Sequence, residues 1–516
     1  MWVAYVVGVW LFLRPVLLTT VFADDFINPF FQFPTTKLSP VEMIRFGWTG
    51  ARGAGHINVI GQTIGAVLDT LWMLMMAVLG LRFSTIYAAT KLLVYVLTAV
   101  SAAAFVREAS AVLGRPISLW RSRLYVSVAL FGTLQIHIAW SNDPVSSYPA
   151  SGFATAAIGF LLLALALRSF RSGSLRRAWV TGIVGSAAVL YYEILVSAVV
   201  AIAPLALWAW WSGGDRSSRA SMSRVLRLTA PMVAVPAVVA AVAKLTIGSS
   251  SVGYSGTEVA LGGGFGKSFF NGIVSTLPGA GWQLTREFLA APVGLHTTAV
   301  IILVVVASAL AVAASTGRAA ADAPPVAVSV PATLSVTDGV SDSPHMPTSA
   351  SGHDRVVAAL MLLTPVVFML GAAITQTATQ KVQDEAPRVG FVYNYYAIGS
   401  TAWAATLVIA VSLVPRSWRS NAVRAIASSV GIAFIVVQFM VNWNVTSKFN
   451  AGTYPSRQLL VTFSERRPED QRCRALEGWA QGAWPDYYEE WMILGLQTAY
   501  EYFHDEQFCT GFVRPK

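Results

Sequence analysis

Apolar runs of about 20 residues recur along the whole chain, separated by short polar segments that carry most of the arginines. A helical run of this length matches the hydrocarbon thickness of a bilayer. The pattern therefore predicts an all-α polytopic membrane protein with about 11 transmembrane helices. The predicted spans lie near residues 3–23, 86–106, 123–140, 149–168, 178–193, 195–212, 228–247, 298–316, 355–376, 396–414 and 425–442.

The composition agrees with this pattern. Of the 516 residues, 55% are hydrophobic and 12% are charged, whereas soluble domains carry about 25% charged residues. The mean hydropathy is +0.58. Together these values exclude a soluble enzyme and a protein that is only anchored at a membrane surface.

The net charge of +10 comes from short basic clusters between the apolar runs. They form no single basic face with interleaved aromatic residues, so the charge follows the positive-inside rule and no nucleic acid partner is expected. Arginine greatly exceeds lysine, and alanine and valine are abundant, which is typical of a GC-rich bacterium and predicts its plasma membrane as the location. The predicted cytoplasmic clusters are 107–123, 168–177, 216–227, 318–355 and 416–424.

Two basic clusters on the same side of the membrane must be separated by an even number of crossings, and this condition tests the assignment of the apolar runs. Residues 178–212 are almost continuously apolar between two clusters, so this stretch must cross twice, with Tyr191-Tyr192-Glu193 at the outer turn.

Residues 3–23 end in a small-residue sequence typical of signal cleavage. Because a basic start is missing and Arg14 interrupts the run, a first transmembrane helix is favoured.

The first helix runs outward and the cluster that begins at residue 107 is cytoplasmic, so an odd number of crossings must separate them. Two apolar stretches are visible there, and only one of them can cross. Residues 57–81 include Asn58, Gln62 and Asp69, so we expect them to form a helix in the outer interface. The alternative is that this helix spans and that the first helix is inverted or cleaved.

The parity argument divides the chain into regions. Residues 1–442 form the transmembrane domain, with an external loop at 24–85 that contains interfacial helices. Residues 319–353 are rich in Ala, Pro, Ser, Val and Asp and are predicted to be a disordered cytoplasmic linker.

Residues 443–516 are predicted to form a small extracytoplasmic C-terminal domain. Domains of this size usually need a covalent cross-link to be stable. A disulfide between Cys473 and Cys509 would supply one in an oxidising compartment. Two inert thiols are the alternative.

Candidate chemistry begins with two adjacent carboxylates, Asp24 and Asp25, directly after the first helix. A carboxylate at the outer interface can act as a general base that accepts the proton of an attacking hydroxyl. Neighbouring side chains on a helix diverge by about 100°, so only one of the two should point at the reacting atoms. A plain interfacial stop signal is the alternative.

Other polar residues fall at the same predicted outer level, whereas few ionisable residues lie at mid-membrane. A pump or symporter normally needs charged sites near the midplane, so this distribution favours an enzyme that acts on a lipid-linked substrate. Fixed cations would stabilise a leaving phosphate, and the other polar groups would bind the donor. The candidate donor-binding residues are Arg388, Arg52, His56, Lys381, Tyr393, Asp143, Tyr192 and Glu193, and His137 lies at the same level.

The sequence resembles the GT-C superfamily of polyprenyl-phosphate-sugar-dependent glycosyltransferases over roughly residues 1–442. Asp24-Asp25-Phe26 matches the acidic motif at the start of the first external loop in that family. Gly47-Trp48 followed by Arg52 is similar to the GtrII-like branch. The Tyr192-Glu193 turn looks like a periplasmic Tyr-Glu pair found in some members, so a PMT-like branch stays open.

The resemblance implies transfer of one sugar from a polyprenyl phosphate to a cell-envelope glycan or glycolipid hydroxyl, with inversion, on the extracytoplasmic face. No nucleotide sugar is needed. No cofactor is firmly implied, although Asp143 and Glu193 could join Asp24 or Asp25 around Mg²⁺ or Mn²⁺. The main rival is a transporter or flippase of a lipid-linked saccharide, and a third hypothesis is a non-catalytic scaffold whose tail binds wall glycan.

Overall fold

The computed structural model shows an all-α polytopic membrane protein. Within the part of the chain that it describes, the regular structure is helical, and the only β-pairing is one isolated bridge between Val259 and Thr379. Eight of the described helices are long and apolar enough to cross a bilayer. The described residues are 2–19, 24–53, 56–137, 143–211, 214–247, 259–280, 352–385, 389–390, 392–414, 421–481 and 486–512.

Five helices precede the main bundle. They are α1 (Trp2–Phe12), α2 (Arg14–Leu17), α3 (Asp24–Thr36), α4 (Pro40–Gly53) and α5 (Val59–Ala77). The helices of the bundle and its connections are α6 (Phe83–Val112), α7 (Leu119–Thr133), α8 (Phe153–Ser172), α9 (Leu175–Tyr191), α10 (Val196–Trp211), α11 (Gly214–Ile247), α12 (Phe265–Ser275), α13 (Gly352–Thr377), α14 (Gln380–Glu385), α15 (Tyr395–Leu413) and α16 (Asn421–Gly452). The tail adds α17 (Tyr454–Ser464), α18 (Glu469–Ala480) and α19 (Asp486–His504).

Seven of the eight long apolar helices coincide with predicted spans: α6, α8, α10, α11, α13, α15 and α16. The eighth is α5, for which the sequence predicts an interfacial position. The predicted spans at 3–23, 123–140 and 178–193 contain shorter helices. The predicted span at 298–316 and the linker at 319–353 lie outside the described residues.

The helices of the bundle have two chemically different ends. At the first, which we call the basic end, arginines link helix termini: Arg171 pairs with Glu108, and Arg115 donates to the Ser412 carbonyl. At the other, which we call the polar end, uncharged side chains connect the turns. Its defining residues are Gln135, Tyr192, Gln376, Asn394 and Tyr396.

Residues 178–212 reverse direction at the predicted turn, and the second of the two helices is long and apolar enough to cross a bilayer. The chain leaves α9 at Tyr191, forms one 3-10 turn over Glu193–Leu195 and returns in α10. Gly182 in the middle of α9 lies against Arg227 and Leu228 in the middle of α11. Ala209, near the end of α10, accepts a hydrogen bond from Ser221, which lies nearer the start of α11. The far ends of α9 and α10 therefore lie together, and the two helices run in opposite directions.

Two predicted spans differ from the observed helices. The helix expected over 123–140 ends at Thr133, and residues 134–137 are not helical, because side chains from other elements replace the helical hydrogen bonds there. The helix expected over 3–23 is interrupted at Leu13, next to Pro15, which has no N–H for a helical hydrogen bond.

Both ends of α5 lie at the polar end of the bundle. Near its start, Gly61 packs against the Tyr191 carbonyl at the end of α9. Near its end, the Trp72 ring contacts Phe83 and Tyr87 in the first turns of α6, at ring-centroid distances of 5.5 and 5.7 Å. A 19-residue helix is ~28 Å long. It therefore lies across this end of the bundle rather than alongside the other helices.

The tail shares a hydrophobic core with the first loop. Phe30 and Phe33 of α3 and Trp72 of α5 are buried together with Phe463 and Tyr500 of the tail. These two segments, 24–85 and 443–516, are thus in direct contact and lie on one side of the bundle. Helix α16 continues through residue 442, so no break marks the predicted start of the C-terminal domain.

Two interactions hold the tail together internally. Cys473 of α18 and Cys509 after α19 form a disulfide. The buried Arg472 guanidinium donates to the carbonyl oxygens of Phe508, Gln507 and Arg467 and to the Tyr500 hydroxyl. Because three of these partners lie in the last 17 residues, Arg472 fixes the end of the chain against α18.

Candidate functional site at the polar end

Asp24 and Asp25 are the first two residues of α3, and their side chains lie outside the described residues. The position of α3 is nevertheless constrained. Thr19 is held by the Lys91 ammonium of α6, and Asp24 is only five residues further along the chain. Five residues span at most ~18 Å. The Asp24 backbone therefore lies within that distance of Thr19.

Glu193 links the turn between α9 and α10 to the segment before α5. Its Oε1 atom lies 2.9 Å from His56 Nδ1 and also accepts a hydrogen bond of 2.9 Å from the Ile57 backbone N–H. The two side chains are 29% and 21% exposed. This carboxylate is thus held in place by two donors and keeps an accessible face.

Tyr192 connects three elements on the bundle side of the same turn. Its hydroxyl accepts hydrogen bonds from Gln376 Nε2 at 3.0 Å and from Asn394 Nδ2 at 2.7 Å. The Gln376 oxygen in turn accepts from the Tyr395 N–H. The ends of α9, α13 and α15 therefore meet through neutral polar groups, which suit the recognition of hydroxyl groups.

Asp143 is fully buried in the loop between α7 and α8. Its carboxylate accepts from His137 Nδ1 at 3.3 Å, from Ser146 Oγ at 3.0 Å and from the Val145 N–H at 3.2 Å. The carboxylate therefore organises this loop through the groups around it. The neighbouring Tyr191 hydroxyl donates to the Ala150 carbonyl, which joins this loop to the Tyr192–Glu193 turn.

The remaining predicted donor-binding residues are only partly described. Tyr393 is half-buried against the bundle core, and Lys381 is a half-buried residue of α14. The side chain of Arg52 at the end of α4, and Arg388 altogether, lie outside the described residues. Their predicted roles stay predictions.

Lys91 is a residue of this region that the sequence analysis overlooked. It is 1% exposed, lies over the Tyr87 ring at 4.5 Å, and its ammonium donates to the Thr19 hydroxyl at 2.6 Å and to the Val16 carbonyl at 3.3 Å. An ionisable residue inside an apolar run is the sequence signal that could have identified it.

In the described part of the chain, no three histidine, cysteine or carboxylate side chains cluster closely enough to hold a metal ion. Asp143 and Glu193 each bind their own partners, His137 and His56, rather than a shared centre. A site that also includes Asp24 or Asp25 falls outside this observation and stays a prediction.

Comparisons of the chain with protein-family models, with curated proteins and with solved structures found no match.

Proposed function

We propose that this protein is an inverting glycosyltransferase that moves a single sugar from a polyprenyl phosphate to a hydroxyl of a cell-envelope glycan or glycolipid. The observation that carries the proposal is the polar end of the bundle. There, α9, α13 and α15 and the segments before α5 and α8 bring together a carboxylate, histidines, amides and phenols. The helix that begins with Asp24 and Asp25 is joined to α5 by the hydrogen bond from Gln32 to Asp69.

The helices around this end suit a lipid-linked substrate. Helix α5 lies across the polar end, and α4 beside it exposes Val41 and Ile44 at 65% and 59%. Such amphipathic helices partition into the headgroup region of a membrane. In the proposed arrangement they lie in the extracytoplasmic interface of the plasma membrane, where the phosphate and sugar of a polyprenyl lipid reside.

The proposed reaction is a single displacement. The acceptor hydroxyl oxygen forms a bond to the anomeric carbon, the bond from that carbon to the phosphate oxygen breaks, and the phosphate leaves with the electron pair. Asp24 or Asp25 takes the hydroxyl proton. Arg388, Arg52 and Lys381 stabilise the charge on the departing phosphate.

Groups at the polar end bind the sugar in this proposal. Glu193 with His56 supplies one charged hydrogen-bonding pair, and Tyr192 supplies a hydroxyl held by two amides. Tyr393 offers an aromatic face close to them, and Asp143 orders the buried loop. A divalent ion is not required by any of these roles.

A transfer assay with the purified protein, a polyprenyl-phosphate hexose and an envelope glycan acceptor tests the proposal. Asp24→Asn or Asp25→Asn should lower turnover by about 10²- to 10⁴-fold, the usual effect of losing a general base. Arg388→Ala should lower it by about 10²- to 10³-fold. Asp354→Asn, at the opposite end of α13, is the matched control and should keep wild-type turnover.

The same variants separate the enzyme from a flippase. An enzyme with Asn at position 24 or 25 still binds the donor lipid but does not turn it over, whereas a flippase moves lipid across vesicles without any transfer product. Wild-type turnover in both Asn variants would remove the acidic pair from the mechanism. Lipid movement with no transfer to any acceptor would establish the transporter instead.

A further inference from the structure

A buried non-helical segment, residues 134–137, lies directly after α7 at the polar end. Side chains from distant parts of the chain make the backbone hydrogen bonds of residues 134–136, and the His137 N–H donates to Asp143. The Gln135 N–H donates to the Tyr396 hydroxyl, and Asn442 bonds both the Ile136 N–H at 2.9 Å and the Leu134 carbonyl at 2.8 Å. Non-helical backbone inside a membrane protein is stable only where protein surrounds it or where it lines a cavity, so such segments often mark binding sites.

Two side chains of this segment carry buried polar atoms that have no hydrogen-bond partner in the described structure. They are His137 Nε2 and Gln135 Nε2, and the two residues are 2% and 1% exposed. Both residues lie against Tyr396, because the Gln135 N–H donates to its hydroxyl and the His137 ring centroid is 4.7 Å from its ring centroid. A buried polar group without a partner destabilises the folded state. Two such atoms in residues that both contact Tyr396 therefore indicate a polar ligand.

The chemistry of the two atoms differs. The Asp143 carboxylate can only accept a hydrogen bond, so the His137 Nδ1 atom that faces it at 3.3 Å carries the proton. In the neutral imidazole this leaves Nε2 with a lone pair, and it is an acceptor. The Gln135 amide nitrogen is a donor. An acceptor beside a donor matches a hydroxyl group, which both donates and accepts, better than a phosphate, which only accepts.

We propose that His137, oriented by Asp143, and Gln135 bind a hydroxyl of the sugar carried by the donor lipid. His137 Nε2 accepts the hydroxyl hydrogen, and Gln135 Nε2 donates to the hydroxyl oxygen. This assignment rests on the proposed function, because that function supplies the lipid-linked sugar. It adds a sugar subsite deep in the bundle, joined to the Tyr192–Glu193 turn through the contact of Tyr191 with Ala150.

Binding measured without an acceptor tests the subsite independently of turnover. The probes are a polyprenyl phosphate that carries one hexose, prepared as glucosyl and mannosyl lipids, and the same polyprenyl phosphate without sugar. His137→Phe and Gln135→Leu should each weaken binding of the sugar lipid by about tenfold, which corresponds to about 1.4 kcal/mol, and leave binding of the bare lipid phosphate unchanged. His504→Phe is the matched control, because His504 in the tail also has a buried Nε2 atom without a partner.

Nitrogen NMR of the wild-type chain with labelled histidines avoids any folding defect of the variants. The chain has six histidines, and His137→Phe assigns the relevant signal. The sugar lipid should shift the Nε2 resonance of His137, and the bare lipid phosphate should not. Asp143→Asn replaces a group that can only accept with one that can also donate to Nδ1, so it should shift His137 towards the tautomer in which Nε2 carries the proton.

The outcomes separate the two proposals. If the wild type binds the sugar lipid and shifts the His137 signal but transfers nothing, the glycosyltransferase proposal fails and the subsite stands. If His137→Phe and Gln135→Leu bind the sugar lipid as the wild type does, the subsite is overturned whatever the turnover. An unchanged His137 signal in saturating sugar lipid would mean that the two atoms meet only buried water, which also overturns it.

Discussion

Glu193 Oε1 lies 2.9 Å from His56 Nδ1 and holds the turn between α9 and α10 against the segment that precedes α5. The same oxygen accepts from the Ile57 N–H. One carboxylate thus fixes where α5 begins, and α5 in turn supports α3, because Gln32 of α3 donates to Asp69 of α5 at 2.9 Å. This chain of contacts leads from the Tyr192–Glu193 turn to the helix that carries Asp24 and Asp25.

Replacing Glu193 should therefore affect both stability and transfer. Glu193→Ala leaves two donors without their acceptor, and we expect a loss of about 1–3 kcal/mol in the free energy of unfolding. Glu193→Gln keeps an acceptor oxygen at nearly the same place and should lose about half of that. Thermal unfolding in detergent and the transfer rate give the two readouts. Equal stability of the wild type and Glu193→Ala would contradict the role of this carboxylate as a clamp.

Gly495 should be essential for docking the tail on α3. A Cβ atom at this position would lie 2.1 Å from the Phe30 carbonyl oxygen. Gly495→Ala should destabilise the contact by about 1–3 kcal/mol, as overpacking does, and should lower transfer because α3 shifts. Gly478→Ala in α18 is the control, since its Cβ would meet nothing within 4 Å, and it should gain up to ~1 kcal/mol in helix stability. Limited proteolysis of the tail would report both effects.

Reduction of the Cys473–Cys509 bridge should loosen the tail. The bridge closes a loop with a sequence separation of 36 residues, for which the chain-entropy estimate is about 4 kcal/mol. The double variant Cys473→Ser/Cys509→Ser should unfold its tail at a lower temperature than the oxidised wild type. Maleimide labelling of denatured, unreduced protein measures the bridge directly, and labelling of both cysteines would show that it is absent.

The tail should lose stability as the pH falls below about 6.5. Burial, with a smaller contribution from the nearby Arg466 charge, lowers the pKa of His504 below its ordinary value of 6.5. The unfolded chain therefore takes up a proton before the folded one does, so the stabilisation is complete above pH 6.5 and declines below it. His504→Phe should remove this dependence between pH 7 and pH 5.

Glu465 provides the comparison at lower pH. Its hydrogen bonds from Arg467 and from Arg82 lower the pKa of this carboxyl below 4.5, so its contribution declines only when the pH falls below 4.5. Melting temperatures of the wild type, His504→Phe and Glu465→Gln from pH 4 to 8 separate the two groups. A wild-type curve that is flat from pH 7 to 5 would contradict the assignment to His504.

The proposed topology predicts which segments react from outside the cell. Single cysteines introduced into 24–85 and 443–516, in a background without native cysteines, should be labelled by an impermeant reagent in intact cells. Cysteines in 319–353 should react only after the membrane is opened. Because 24–85 and 443–516 share one core, they must behave alike. Labelling of the linker alone would invert the orientation.

The sequence by itself determined the membrane class, seven of the long apolar helices and the reversal at Tyr192. Each of these follows from local properties: the apolar length of a span matches the bilayer thickness, and basic clusters mark one side. Such features are read from 20 residues at a time and do not depend on distant neighbours.

Only the tertiary structure decided the other features. The sequence predicted an interfacial α5 and left a spanning alternative, and the contacts of α5 with Tyr191 and Tyr87 place both of its ends at the polar end. The non-helical segment after Thr133 depends on Tyr396 and Asn442, more than 250 residues away in the chain. The tail's shared core depends on α3 in the same way. At residue 134, hydrogen bonds to side chains of distant segments replace the backbone hydrogen bonds of a helix. The hydrophobic pattern of residues 123–140 does not predict these partners.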